Sequence, residues 1–142
     1  MDRFLIQLNT YQTTMAESNR ILVVDDNQDL TQIVSMVLTG NGYEVKSCYS
    51  IPDAVNIVNE WQPEVLVLDI NISGEDGRTF CSDLKEQLDQ PIKVILMSGY
   101  DNNLGAAIWH GADDFIAKPF GMDELVGKVK LQLLNNSLQD KL

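Results

Sequence analysis

Four short apolar runs of this chain each lead into residues that can do chemistry. Asp25 and Asp26 follow Ile21-Leu22-Val23-Val24, and Asp69 follows Val65-Leu66-Val67-Leu68. Ser98 follows Val94-Ile95-Leu96-Met97, and Lys118 follows Phe115-Ile116-Ala117. In an open parallel sheet such runs end along one edge, and the crevice outside the strand C-termini is the usual ligand site. Three carboxylates, a hydroxyl and an ammonium would meet there. Carboxylates that close repel and raise each other's pKa unless a cation lies among them. Oxygen ligands of this hardness suit Mg2+, which takes few protein carboxylates, keeps several waters and fills its other positions from a phosphate. A carboxylate is also a covalent nucleophile toward phosphoryl groups. Phosphoryl transfer asks mainly for positioning and for neutralisation of charge on the equatorial oxygens. On this reading Asp69, the lone carboxylate on the central run, is the acceptor; Lys118 supplies a compact charge and Ser98 a hydroxyl donor.

The elements that must position these groups are legible in the hydrophobic period. Leu30, Ile33, Val34, Val37 and Leu38 follow the spacing of one buried helix face, and Gly40 and Gly42 supply the stop. Residues 43–49 read as a strand. Ala54, Ile57, Val58 and Trp61 repeat the helical stripe, closed by Pro63, and 64–69 is a near-continuous apolar run of the kind buried on both faces. A helix over 77–88 is suggested by Phe80, Leu84 and Leu88, and Pro91 bars its continuation into the strand 92–97. Leu104, Ala107, Ile108 and Gly111 line a fourth helix, 114–117 forms a short last strand, and Met122, Leu125, Val126, Val129 and Leu133 stripe the closing helix. Strands alternating with helices imply right-handed parallel crossovers with helices on both faces of the sheet. The expected fold is α/β: a flavodoxin-like doubly wound (βα)5 sandwich, its five-stranded parallel sheet ordered 2-1-3-4-5 by analogy.

A chain of 142 residues suits one domain. Residues 20–137 are assigned to it, with 138–142 as a C-terminal tail. Residues 1–19 are polar and without period, and are read as an extension, disordered by default; a short docking helix around Phe4, Leu5 and Leu8 is the competing reading, and Met15 is an alternative start. The net charge of −11 argues against direct nucleic-acid binding and favours a basic protein or a metal cation as partner. Cys48 and Cys81 have neither CxxC spacing nor a disulfide framework, so reduced, packed thiols in a cytoplasmic protein are expected. Nothing in the sequence has the length of a membrane span or the form of a signal peptide.

From residue 20 to about 135 the sequence resembles the receiver domain of two-component response regulators. The resemblance is carried by Val23-Val24-Asp25-Asp26-Asn27, by Pro63 through Asp69, and by Gly77 eight residues past that Asp. It extends to Leu96-Met97-Ser98-Gly99 and to Gly111-Ala112-Asp113-Asp114-Phe115-Ile116-Ala117-Lys118-Pro119-Phe120. It implies an Mg2+ site from Asp26, Asp69 and the backbone carbonyl of Asn71, with Asp25 acting through water. It implies that Asp69 takes a phosphoryl group from a histidine kinase or a phosphotransfer protein, the chain catalysing its own phosphorylation and autodephosphorylation. Ser98 and Phe115 would form the switch that remodels the surface of the fourth helix, fifth strand and fifth helix for a downstream partner protein, a bistable element biased by a local charge. A cis Lys118-Pro119 bond is implied as well, and Asn71 and Tyr100 fall where the family tunes phosphate lifetime. Two residues depart from the family: Ser73 stands where Pro is usual, and Glu75 where an apolar residue is. The departures imply a more mobile loop and altered metal affinity or donor preference.

Other readings of the same residues compete with this one. Asp25 and Asp26 are also suited to capping the first helix, and Phe115 to plain core. His110, the lone histidine, is read as surface or satisfied interior, and Trp109 as loosely packed or part of a recognition patch. The chain ends near the expected fifth helix, so a stand-alone receiver acting through a partner protein is expected, with homodimerisation open. The alternative is a phosphate-independent interaction module with the same fold. A flavodoxin-like cofactor enzyme is weaker, because no Gly-rich phosphate turn follows the first strand.

Overall fold

The computed structural model describes residues 19–87, 92–99 and 110–140, with side chains through 137. Five parallel strands, β1 (Arg20–Val24), β2 (Glu44–Cys48), β3 (Val65–Asp69), β4 (Lys93–Ser98) and β5 (Asp114–Ala117), lie in the order β2-β1-β3-β4-β5. This is the flavodoxin-like order expected by analogy. Helices α1 (Gln28–Gly40), α2 (Ile51–Trp61), α3 (Gly77–Gln87) and a last helix, Met122–Asp140, are described. The fourth helix read around Leu104, Ala107 and Ile108 lies outside the described residues, as do Leu88, Pro91, Tyr100, Trp109 and the segment 1–18.

The central strands divide their side chains between two cores with period two. Leu22 and Val24, Leu66 and Leu68, and Val94 and Leu96 pack with Ala54, Val58, Phe80, Cys81 and Leu84 of α2 and α3. Ile21 and Val23, Val65 and Val67, and Ile95 and Met97 pack with Val34, Leu38, Leu125, Val129 and Leu133 of α1 and the last helix. Such strands are buried on both faces, which is why they read as unbroken apolar runs.

Local signals set the helix ends. Asn27, not either aspartate, caps α1: its Oδ1 accepts the Leu30 N–H at 3.1 Å. Ser50 caps α2, Pro52 occupies its first turn, and Gln62 at φ 54° ends it. The buried row of α1 is Thr31, Val34 and Leu38; Ile33, read as part of that face, is 49% exposed. Thr31 occupies the row because its hydroxyl donates to the Gln28 carbonyl at 2.8 Å and so carries no unmet hydrogen bond into the core.

β3 and β4 extend to Asp69 and Ser98, so these residues end their strands rather than follow them. The start of β4 is held by an ionic cluster, in which Asp113 accepts from Lys85 at 2.6 Å and from the Val94 N–H at 2.8 Å, with buried Lys93 at 3.8 Å. The last helix continues through Asp140, past the residue where a tail was expected to begin. It also buries two polar side chains that the apolar stripe did not include, Gln132 and Asn136, the latter donating to the Glu64 carbonyl at 3.4 Å.

Candidate functional site

Register and period together bring the predicted residues to one edge. Val24 pairs with Leu68, so Asp25 and Asp69 come next on adjacent strands; Asp69 pairs with Met97, and Ser98 with Ala117, just before Lys118. Asp25 continues the row of Ile21 and Val23, Asp69 that of Val65 and Val67, and Lys118 that of Ile116, all rows facing the same core. Ser98 continues the opposite row, with Val94 and Leu96, against which Phe115 also packs. Asp25, Asp69 and Lys118 therefore converge, while Ser98 and Phe115 share the other side of the sheet edge.

The Lys118 ammonium lies 2.6 Å from Asp25 Oδ2 and 3.2 Å from Asp69 Oδ2. The second Asp25 oxygen, Oδ1, accepts the Asn27 N–H at 2.9 Å, so this fully buried carboxylate has both oxygens engaged. Burial would lower the Lys118 ammonium, but its bonds to Asp25 and the charge of Asp69 outweigh that and hold its pKa above the ordinary value. Burial, reinforced by the charge of Asp25, pushes the Asp69 carboxyl from 3.8 up to about 6, against the opposing pull of Lys118 and of the Asn71 N–H. The Lys118–Pro119 bond is cis. Phe115 is half-buried, with the Lys128 ammonium 5.9 Å from its ring centroid and held there by Asp114 at 3.2 Å.

The loop after β3 forms a two-residue hairpin. Asn71–Ile72 pairs antiparallel with Glu75–Asp76 across Ser73 and Gly74, whose φ angles are 52° and 84°. Two central residues of positive φ make the two-residue turn that matches strand twist. Ile72 is fully buried and anchors the hairpin, and Gly74 N–H donates to Asn71 Oδ1 at 3.3 Å. Ser73 reaches across to the exposed Asp26, its backbone N–H at 2.7 Å and its hydroxyl at 3.3 Å from Oδ2. Gly77 then brings the chain back so closely, its N–H 2.6 Å from the Ile70 carbonyl, that a Cβ there would collide with the Asp69 carbonyl oxygen.

One carboxylate oxygen from each of Asp25, Asp26 and Asp69 lies within 4.8 Å of the other two. Three carboxylates against one ammonium leave excess negative charge, and the donors are all hard oxygens, so the set fits a hard divalent cation such as Mg2+. Asp26 and Asp69 each keep an oxygen that Lys118 and Ser73 do not hold. Asn71 stands beside them at the start of the hairpin. Sequence reasoning missed Asn27 as the cap, Ser73 as the partner of Asp26, and Lys128 over Phe115. Of these, only Asn27 carried a local signal, a capping residue immediately before a helical period.

Residues 21–130 match the response regulator receiver domain. Among solved structures, the chain is similar to a response regulator signal receiver domain from Bermanella marisrubri, at 30% identity and a TM-score of 0.77 over 82% of this chain and 98% of that one. It is similar to the receiver domain of NtrX from Brucella abortus at 33% identity and a TM-score of 0.74, covering 80% of this chain and 97% of that one. The Francisella response regulator 1452 receiver domain gives 25% identity and a TM-score of 0.77, over 83% and 98% of the two chains.

Proposed function

Because the chain belongs to the response regulator receiver domain family, we propose that its phosphorylation-dependent signalling runs through Asp69 as the phosphoryl acceptor, with a phosphohistidine on a histidine kinase or phosphotransfer protein as donor. An Asp69 carboxylate oxygen attacks phosphorus while the phosphorus–nitrogen bond breaks and its electron pair returns to the donor imidazole, which takes up a proton. Hydrolysis of the resulting acyl phosphate by water returns the carboxylate and inorganic phosphate. The observation that carries this reading is the Lys118 ammonium lying 3.2 Å from Asp69 and anchored at 2.6 Å on buried Asp25. Such a fixed cation stabilises charge on the transferred group without reorganising.

Mg2+ would be held by Asp26, Asp69 and the Asn71 carbonyl, and when bound it supplies charge neutralisation at the phosphoryl oxygens. Asp25 serves through water, in keeping with both of its oxygens being engaged. Ser98 donates its hydroxyl to the phosphoryl group, and Phe115 turns inward from beneath Lys128, changing the surface around β5 and the last helix for a downstream partner protein. The cytoplasm is the compartment proposed for this exchange with the donor. Among the described residues no helix is long and apolar enough to cross a membrane. Incubation with acetyl phosphate and Mg2+ should label the protein once, at Asp69, as read by intact mass and peptide mapping. Persistent labelling of Asp69→Asn at the same stoichiometry would overturn the acceptor assignment.

A further inference from the structure

We propose that Ser73 is a positioning residue that holds Asp26 as a one-oxygen ligand and thereby selects Mg2+ over Ca2+. The inference rests on the metal reading above.

Asp26 is exposed, and an exposed carboxylate left to itself samples several rotamers that metal binding would have to freeze. Asp25 and Asp69 are held by Lys118, but Asp26 is not. Among the described residues its only hydrogen-bond donors are the Ser73 N–H and hydroxyl, both on Oδ2. The donor is itself fixed, because Ser73 occupies a left-handed backbone position inside a hairpin anchored by buried Ile72 and turned by Gly74. With two donors on Oδ2, Asp26 offers Oδ1 alone. Asp69 likewise has Oδ2 on Lys118 and accepts the Asn71 N–H, and each Asp25 oxygen already accepts one hydrogen bond. The cluster thus disfavours two-oxygen chelation, most strongly at Asp26, where two donors occupy Oδ2.

That distinction separates the two common hard cations. Ca2+ takes six to eight oxygens in flexible geometry and commonly uses both oxygens of a carboxylate, whereas Mg2+ requires a near-ideal octahedron and single-oxygen ligands. Hydrogen bonds to ligating carboxylates typically carry about 10–100-fold in metal affinity. A proline at this position would have no N–H to give and could not adopt a φ of 52°. Serine here therefore provides a donor that the family's usual residue cannot.

The test is the ratio of Mg2+ to Ca2+ dissociation constants, measured by isothermal titration calorimetry on the full chain and on Ser73→Pro and Ser73→Gly. Ser73→Pro should weaken Mg2+ by about tenfold and Ca2+ by less than about threefold, lowering the preference for Mg2+. Ser73→Gly, which keeps the N–H and accepts positive φ, should restore the ratio to within about threefold of the parent. Equal weakening of both cations, as general loosening of the loop would give, overturns the proposal, and so does a glycine variant that behaves like proline. Should Ser73→Pro not fold, amide hydrogen exchange by NMR decides the matter on the parent protein. The Ser73 N–H should stay protected in both the metal-free and the Mg2+-loaded forms, and loss of protection on loading overturns the proposal. A parent protein that binds neither cation removes the metal reading itself, whereas a parent that binds Mg2+ with an unmoved ratio in the variants removes only the role of Ser73.

Discussion

Replacing the proposed acceptor, Asp69→Asn, should make the metal-free protein more stable at neutral pH. The Asp69 carboxyl rises from 3.8 to about 6 on folding, chiefly because burial penalises its charge and secondarily because Asp25 repels it. A carboxyl whose folded pKa lies above its unfolded one favours the fold while protonated. That contribution is fully present below pH 3.8 and is lost as the pH rises through about 6. At about 1.4 kcal/mol per pH unit, the interval between 3.8 and about 6 corresponds to roughly 3 kcal/mol that the ionised side chain withholds from the fold. Asparagine has the same shape and no charge, and its amide oxygen can still accept from Lys118, though more weakly than a carboxylate. The net gain should therefore be about 1–3 kcal/mol at pH 7.5, or a rise of roughly 3–10 °C in Tm for a chain of this size. Thermal and urea denaturation in EDTA across pH 5 to 8 would read it. The gap should narrow by about half between pH 7.5 and pH 5, and added Mg2+ should narrow it at pH 7.5 by stabilising the parent alone. An asparagine variant no more stable than the parent at pH 7.5, or a gap as wide at pH 5 as at pH 7.5, would refute the argument that Asp69 is strained by burial and like charge.

Lys118→Met leaves Asp25, whose side chain is 1% exposed, without its 2.6 Å partner, and should cost on the order of 3 kcal/mol in urea denaturation at pH 7.5; unchanged stability would count against the ion pair. Gly77→Ala should cost roughly 1–3 kcal/mol and slow acetyl phosphate labelling, since its Cβ meets the backbone oxygen of Asp69 itself. Gly127→Ala is the contrasting case: the site is exposed, helical and clear of neighbours within 4 Å, so a gain of up to about 1 kcal/mol is expected from the same denaturation series. Burial pushes the Cys48 and Cys81 thiols up to about 11, so neither should react with Ellman's reagent at pH 8 until the protein is unfolded in denaturant; rapid native labelling would contradict their placement in the core.

What the sequence revealed and what it concealed divide along a physical line. β1, β3 and β4 were legible because strands buried on both faces must be apolar at every position, and their order came by analogy with the flavodoxin-like fold rather than from any single residue. The 93-residue separation between Asp25 and Lys118 was bridged by topology alone: once the strands were placed side by side, period two dictated which side chains met. Contacts governed by backbone sign were not legible. Proline's absence at position 73 suggested a looser loop, since it removed a stiff residue. In the folded chain that same absence leaves an N–H for Asp26, 47 residues away, and permits a positive φ that proline forbids. Thr31 escaped the stripe for a related reason, because a polar residue can sit in a core row when a carbonyl of its own helix satisfies it. In each case the hydrophobic pattern reported burial faithfully where burial was the sole requirement, and was silent where a hydrogen bond made a polar residue, or an unusual dihedral, the more stable choice.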